Sequence, residues 1–268
     1  NALGLEEDIA RFLELNTHTH GELLVYEAGE LLPREKGNGV LNSLAQGGAL
    51  EIDQKVVFMA WDQIPLDRAV SGGKVATPYR DRLRKLGGQA LAAQRAGCVS
   101  VRLIPTRVVK SKAEAYAHYR ELLKLGKEGT VVKHPDMDWK DSSSGNKDQV
   151  KLKLEVDVEL RIKDFVPGTP GTKTAATFGS LLCQSECGEL EVAVSGMTDA
   201  MRQKIHNDRE RFRDAIITVK ANSVMVPDDG ADKHSLFLPR YVEIREDKRV
   251  ADDLARIKAI FQNAVEAA

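Results

Sequence analysis

The sequence predicts an α+β chain in two parts: mixed strands and helices over residues 1–153, then a small β-barrel with a closing helix over 154–268. Three observations predict it. In the first part, short apolar or β-branched runs (55–66 and 128–133) are interspersed with segments of helical period such as 79–96. Residues 150–166 alternate polar and apolar almost strictly, as a half-solvated strand does. The remainder reads strand, strand, strand, helix, strand, which is the pattern of a five-stranded OB-type barrel.

The elements follow in order. Ile9, Phe12 and Leu13 fall at helical spacing over 6–15. Residues 21–32 alternate around a Glu-Ala-Gly turn and read as a hairpin. The next stretch, 33–42, is rich in turn residues. Residues 55–66 form a buried-type strand. The helix over 79–96 should bury Leu83, Leu86, Leu91 and Ala92. Two short strands, 99–103 and 106–109, come next. Ser111 and Glu114 make a capping box, so a helix should start there and bury Ala115, Tyr119, Leu122 and Leu123. A strand over 128–133 precedes a polar loop, 134–146. Beyond the 150–166 strand, 175–183, 189–194, 217–225 and 240–245 read as strands. Thr198 caps a helix carrying Met201, Ile205, Phe212 and Ile216. Leu254, Ile257, Phe261 and Val265 give the closing helix.

Composition narrows the function classes. The 268 residues carry 39 Lys+Arg against 40 Asp+Glu and are 42% hydrophobic, the balance of a chain that buries a core. A net charge of −1 excludes a histone-like blanket of positive charge but allows a local basic groove. No run of 18 apolar residues suggests a spanning helix. The acidic, amphipathic start lacks the form of a signal peptide. Cys98, Cys183 and Cys187 are an odd count and read as reduced thiols, with no partner set for zinc.

Several residues could carry chemistry. Lys151 and Lys153 are two apart, so a strand puts them on one face. Such a pair fits either a solvated face or a phosphate held by both ammoniums. Glu128, at the start of Glu-Gly-Thr-Val-Val-Lys, could hold a divalent metal over that phosphate. Glu22 could contact a ribose hydroxyl or the same ion. Trp61 fits either the core or a stacking face for a purine.

The order of these pieces, HGELLVYEAGELL, VVFMAWDQIPL, EGTVVKHP, VKLKLE and then PRYVEIREDK, resembles the ATP-dependent DNA ligases of the covalent nucleotidyltransferase superfamily, most of all the compact bacteriophage type. The resemblance covers nearly the whole chain. It implies an ATP-grasp-like nucleotidyltransferase (adenylation) domain, partial here, over 1–153, and an OB-fold domain over 154–268. Glu22 matches the third motif, on the ribose or supporting a metal. Trp61 matches the aromatic that stacks on adenine. Glu128 matches the metal-associated Glu of the fourth, and Lys151 and Lys153 the phosphate-binding lysines of the fifth. Arg245, Asp247 and Lys248 match the RxDK pattern of the sixth, which orients the pyrophosphate leaving group.

The resemblance further implies ATP, an AMP adduct and Mg²⁺ as cofactors. The implied substrate is nicked double-stranded DNA, sealed between a 5′-phosphate and a 3′-hydroxyl by a cytoplasmic monomer in a bacterial cell or phage-infected host. Roles in DNA replication, repair and recombination go with it. An RNA ligase or mRNA capping guanylyltransferase shares the motifs, and a non-catalytic OB-fold nucleic-acid-binding fragment is the alternative from another class.

Two departures stand out. His20 replaces the Asp of the usual Asp-Gly-Glu. The Lys-x-Asp-Gly segment that supplies the nucleophilic lysine is absent, and Lys36-Gly37-Asn38-Gly39 lies on the wrong side of Glu22 to replace it. The expectation is a C-terminal portion of a longer ligase, competent at most to seal a nick that is already adenylated. DNA grip is expected from residues 101–133, where Arg102, Arg107, Lys110, Lys112, Arg120, Lys124, Lys127 and Lys133 outnumber three glutamates, with Arg161, Lys163 and Lys173 from the barrel.

Overall fold

The computed structural model describes residues 3–142, 146–227 and 232–268. The chain divides into two compact units, Asn1–Val108 with Val132–Val150, and Val109–Val131 with Lys151–Ala268.

The first unit opens with α1 (Glu6–Phe12), β1 (Thr17–Glu27), β2 (Glu30–Leu31), α2 (Arg34–Ala45) and β3 (Gln54–Pro65). It continues through β4 (Lys74–Val75), α3 (Tyr79–Arg95) and β5 (Val101–Leu103). Its main sheet has the order β2-β1-β3-β5, with β1 antiparallel and β5 parallel to β3. Ala28 and Gly29 turn the β1–β2 hairpin, both at positive φ, which suits the right-handed twist of the strands. Helix α3 covers β3 and β5 through Leu86 and Ala93, packed with Leu13, Ala60 and Val101.

Three expectations fail here. The turn-rich stretch 33–42 is mostly helix α2. Its glycines disfavour a helix in isolation, but Leu44 packs with Leu5 and Val56, and Gly37 lies over Val25. Leu91 and Ala92 of α3 are exposed, and the buried positions are Tyr79, Arg82, Leu86, Ala90 and Ala93. Residues 106–109 form no strand; β5 pairs instead with β3.

After α4 (Lys112–Lys124) come β6 (Gly129–Lys133), β7 (Trp139–Lys140) and β8 (Gln149–Lys153). Ser111 caps α4, its Oγ accepting the Glu114 N–H at 3.1 Å. Strand β7 pairs with β4, and β6 with β8. Residues 143–145 of the expected polar loop lie outside the described residues.

The rest of the second unit is β9 (Val156–Val166), β10 (Ser180–Gln184), β11 (Glu191–Val194), α5 (Asp199–Asn207) and α6 (Arg209–Phe212). Then follow β12 (Ile216–Ala221), β13 (Ser223–Met225), β14 (Ser235–Phe237), β15 (Arg240–Ile244) and α7 (Leu254–Ala267). The alternating stretch 150–166 is thus two strands, broken at Leu154 and Glu155. Five strands form an antiparallel sheet in the order β11-β10-β9-β12-β15. The helix following its third strand, α5, begins at the Thr198 cap. Strand β9 lies in the middle, so Val158, Leu160 and Ile162 are fully buried and even Glu159 is only 8% exposed. Helix α7 buries Leu254, Ile257 and Phe261 in the same core. Helix α4 belongs with this unit: Arg120 donates to the carbonyl of Ala268, at the end of α7.

Cys98, Cys183 and Cys187 are all free thiols, and burial pushes the Cys183 thiol far up. Among the described residues no helix is long and apolar enough to cross a membrane.

Candidate functional site

In the first unit, β1 and β3 carry Glu22 and Trp61. Gly21 is required between them: a Cβ there would stand 2.3 Å from the Phe58 ring. The ladder pairs His20 with Asp62 and Gly21 with Ala60, so Trp61 is the extra residue of a β-bulge. A bulge re-aims the side chain that it carries. The Trp61 carbonyl accepts the Tyr79 hydroxyl at 3.0 Å, and its indole is half-buried. Glu22 is exposed, opposite Met59.

Beside the bulge lies a cluster that the sequence reading missed. Asp62 and Arg82 form a buried, two-pronged ion pair, with Nε–Oδ1 at 2.8 Å and Nη2–Oδ2 at 2.9 Å. Arg82 also donates to the carbonyls of Thr77 and Met137, so it fixes the start of α3. Lys133 lies 4.4 Å from the centre of the Tyr79 ring. Burial lowers the Lys133 pKa and raises the Tyr79 hydroxyl to about 12. His20 stacks on His18 at 4.6 Å and tilts against Trp139 at 5.9 Å. Its Nε2 is buried with no hydrogen-bond partner, and burial, followed by the nearby His18, lowers its pKa. The signal available in sequence was the adjacency of Asp62 to Trp61 and the departure at His20.

In the second unit, Glu128 is exposed at the entry to β6. Gly129 follows at φ +150°, where a Cβ would stand 2.0 Å from the Leu152 carbonyl oxygen. Only glycine lets the backbone after Glu128 approach the strand of Lys151 and Lys153 this closely. Lys151 is exposed. Lys153 Nζ lies 2.8 Å from Glu155 Oε1, and Arg240 Nη2 reaches the same oxygen. The Lys153 hydrogen bond is the main cause that holds the Glu155 carboxyl below its usual range.

Arg245, Asp247 and Lys248 follow β15. Arg245 grips Asp247 with two parallel hydrogen bonds, 2.9 and 2.8 Å, and donates to Glu159 Oε1 at 2.5 Å. That clamp lowers Asp247 to about 2. Lys248 lies 3.3 Å from the same Glu159 oxygen, and Thr218 Oγ1 donates to it at 3.2 Å. Arg245 and Lys248 therefore meet at one buried carboxylate, which sequence reasoning also missed, and Asp247 is held there through Arg245.

The structure brings Glu22 and Trp61 onto paired strands of the first unit. It pairs the strand that Glu128 opens with that of Lys151 and Lys153, and gathers Arg245, Asp247 and Lys248 in the second unit. Of the expected DNA-contacting cations, Lys124 and Lys127 are exposed. Arg161, Lys163 and Lys173 are tied to Glu186, Glu191 and Asp199. Lys36, exposed on helix α2, sits in no strand. Among the described residues no three His, Cys, Asp or Glu side chains gather into a metal cage.

Comparison with known proteins bears out the resemblance to the DNA ligases. DNA ligase of Enterobacteria phage T4 is 31% identical over 229 residues, which are 82% of this chain and 45% of the relative. That of phage T6 is 30% identical over the same shares. The chain thus spans less than half the length of the curated relatives it matches. A solved structure described as "Pmar-Lig_Pre." superposes with a TM-score of 0.63, over 92% of this chain and 56% of its own, at 16% identity. One from "DNA binding with a minimal scaffold: Structure-function analysis of Lig E DNA ligases" gives 0.53, over 84% and 75%, at 17%. At those identities the likeness is one of fold. No family model matches the chain.

Proposed function

We propose that this chain belongs to an ATP-dependent DNA ligase that seals nicks between a 5′-phosphate and a 3′-hydroxyl through lysyl-AMP and DNA-adenylate intermediates. The observation that carries the reading is the close approach of Gly129 to Leu152, which sets Glu128 beside the strand of Lys151 and Lys153. The match to phage DNA ligases over most of the chain supports it. Residues 1–153 read as an adenylation domain of ATP-grasp type and 154–268 as an OB-fold domain, the latter supported by the five-stranded sheet with a helix after its third strand.

Each step in such a reaction is an in-line displacement at phosphorus, so the protein supplies alignment and charge more than covalent chemistry. Lys151 and Lys153 hold the phosphate of the adenylate. Trp61 lays its ring on adenine, and Glu22 accepts from the ribose. Lys248 and Arg245, braced by Glu159, steady the leaving pyrophosphate. No Lys-x-Asp-Gly occurs in this sequence, so the reading assigns no residue here as the nucleophile of the first step.

Glu128 in the second unit and Glu22 in the first are each an exposed carboxylate, and each by itself fits Mg²⁺, which can take a single carboxylate and complete its shell with water and substrate phosphates. The ion would supply neutralising charge at the transferring phosphate.

The test is sealing of a nicked DNA duplex that carries a pre-adenylated 5′ end, with the same nick in RNA alongside. The chain should seal the DNA nick. Lys153→Ala should lower the rate by about two orders of magnitude while leaving DNA affinity within about threefold. Loss of affinity without any sealing by the parent chain would favour a nucleic-acid-binding module instead.

A further inference from the structure

We propose that Arg240 is a third cation of the phosphate site of Lys151 and Lys153, and that Glu155 is the internal counter-ion which an incoming phosphoryl group displaces. The inference rests on reading those two lysines as phosphate-binding.

The geometry centres on one atom. Lys153 and Arg240 both bond Glu155 Oε1. Charge-assisted N–H···O⁻ bonds to carboxylate and to phosphate oxygens have the same length, roughly 2.7–2.9 Å. A phosphate oxygen taking the place of Glu155 Oε1 would therefore meet the same two donors, Lys153 Nζ and Arg240 Nη2. The node is open to such an exchange: the side chains of Lys153, Glu155 and Arg240 are 29%, 28% and 48% exposed.

Charge favours the exchange. Lys153 and Arg240 already share one carboxylate, and Lys151, two residues before Lys153 on β8, forms no ion pair among the described residues. Once Glu155 swings aside, the lysines and Arg240 face the anion alone, and a phosphomonoester carries roughly two negative charges. The fold does not depend on the carboxylate. The break between β8 and β9, where Glu155 lies, is anchored separately by Asn222, whose Nδ2 donates to the Leu154 carbonyl at 2.8 Å. Ion pairs this exposed contribute little to stability. Arg240 also opens β15, the strand that leads into Arg245 and Lys248. One strand would then carry phosphate-binding cations at both ends.

The experiment measures KM and kcat of the full chain on a nicked duplex with a pre-adenylated 5′ end. Arg240→Ala should raise KM by about tenfold or more, the loss of a hydrogen bond to a charged group, and Arg240→Lys should recover part of it. Glu155→Gln should lower KM several-fold, because the competing charge is gone. A purely structural ion pair would shift both variants in the same direction, together with their thermal midpoints. The proposal is overturned if Glu155→Gln leaves KM unchanged or raises it, or if Arg240→Ala and Arg240→Gln leave it unchanged. A parent chain that seals no adenylated nick would remove the underlying reading and this inference together. A parent that seals, with unresponsive variants, removes the inference alone.

Discussion

Gly129 meets Leu152 so closely that a single methyl group at Gly129 would overlap the Leu152 carbonyl oxygen, 2.0 Å away. This contact ties the entry of β6, where Glu128 stands, to the lysine strand β8. Its φ of +150° also lies where L side chains are strained.

Gly129→Ala should therefore separate the two strands. Sealing of an adenylated nick should fall by about a hundredfold, and stability by about 2–4 kcal/mol. Urea unfolding and sealing rates check this; an active, fully stable variant would refute the assigned role.

Asp62 and Arg82 are a buried pair whose removal in halves should be severe. Asp62→Ala leaves the guanidinium uncompensated and should destabilise by about 3–5 kcal/mol. Replacing both residues with apolar ones of similar size should cost less than the sum of the single changes. Chemical denaturation of the two single variants and the double variant measures the coupling.

His20 predicts a pH effect. Burial holds its pKa below the ordinary 6.5, so the folded chain binds less proton here than the unfolded chain. The stability that this group contributes is present above about pH 6.5 and declines as the pH falls through 6.5 toward the folded-state value. Thermal midpoints of His20→Gln should fall less steeply with acidification than those of the parent chain. Parallel curves would show that another group governs the slope.

Exposed Lys124 and Lys127 should meet the DNA backbone. The log of affinity should fall with the log of salt by roughly 0.9 per phosphate contacted. Reversing either lysine to Glu should weaken binding uniformly across sequences and make the slope shallower by about one. Fluorescence anisotropy over a salt series reads both effects.

Much of this was legible in the chain. The β1–β2 hairpin, β3, α3, the Ser111 and Thr198 caps and the closing helix all follow from local period and capping chemistry. Glu22, Trp61, Glu128, Lys151 and Lys153 could be picked out because their motifs are local and keep their order. Helix α2 was not legible, since its glycines are tolerated only through packing on β1 and β3. The exposed Leu91 on α3 was misread because periodicity defines a stripe without fixing which edge of it faces the sheet.

By itself the sequence determined where several strands and helices lie, such as β3, α3 and the capped α4, and which short segments carry carboxylates and lysines in the order of the DNA ligases. These are properties of neighbouring residues, fixed by backbone sterics and side-chain period. Only the tertiary structure decided that Asp62 would bury itself against Arg82, that Glu159 would gather Arg245 and Lys248, and that Glu155 would hold Lys153 and Arg240 on one oxygen. Those partners are 20 to 89 positions apart, apart from Lys153 and Glu155. Electrostatic pairing acts through space, and no local pattern announces which distant charge the fold will bring within 3 Å.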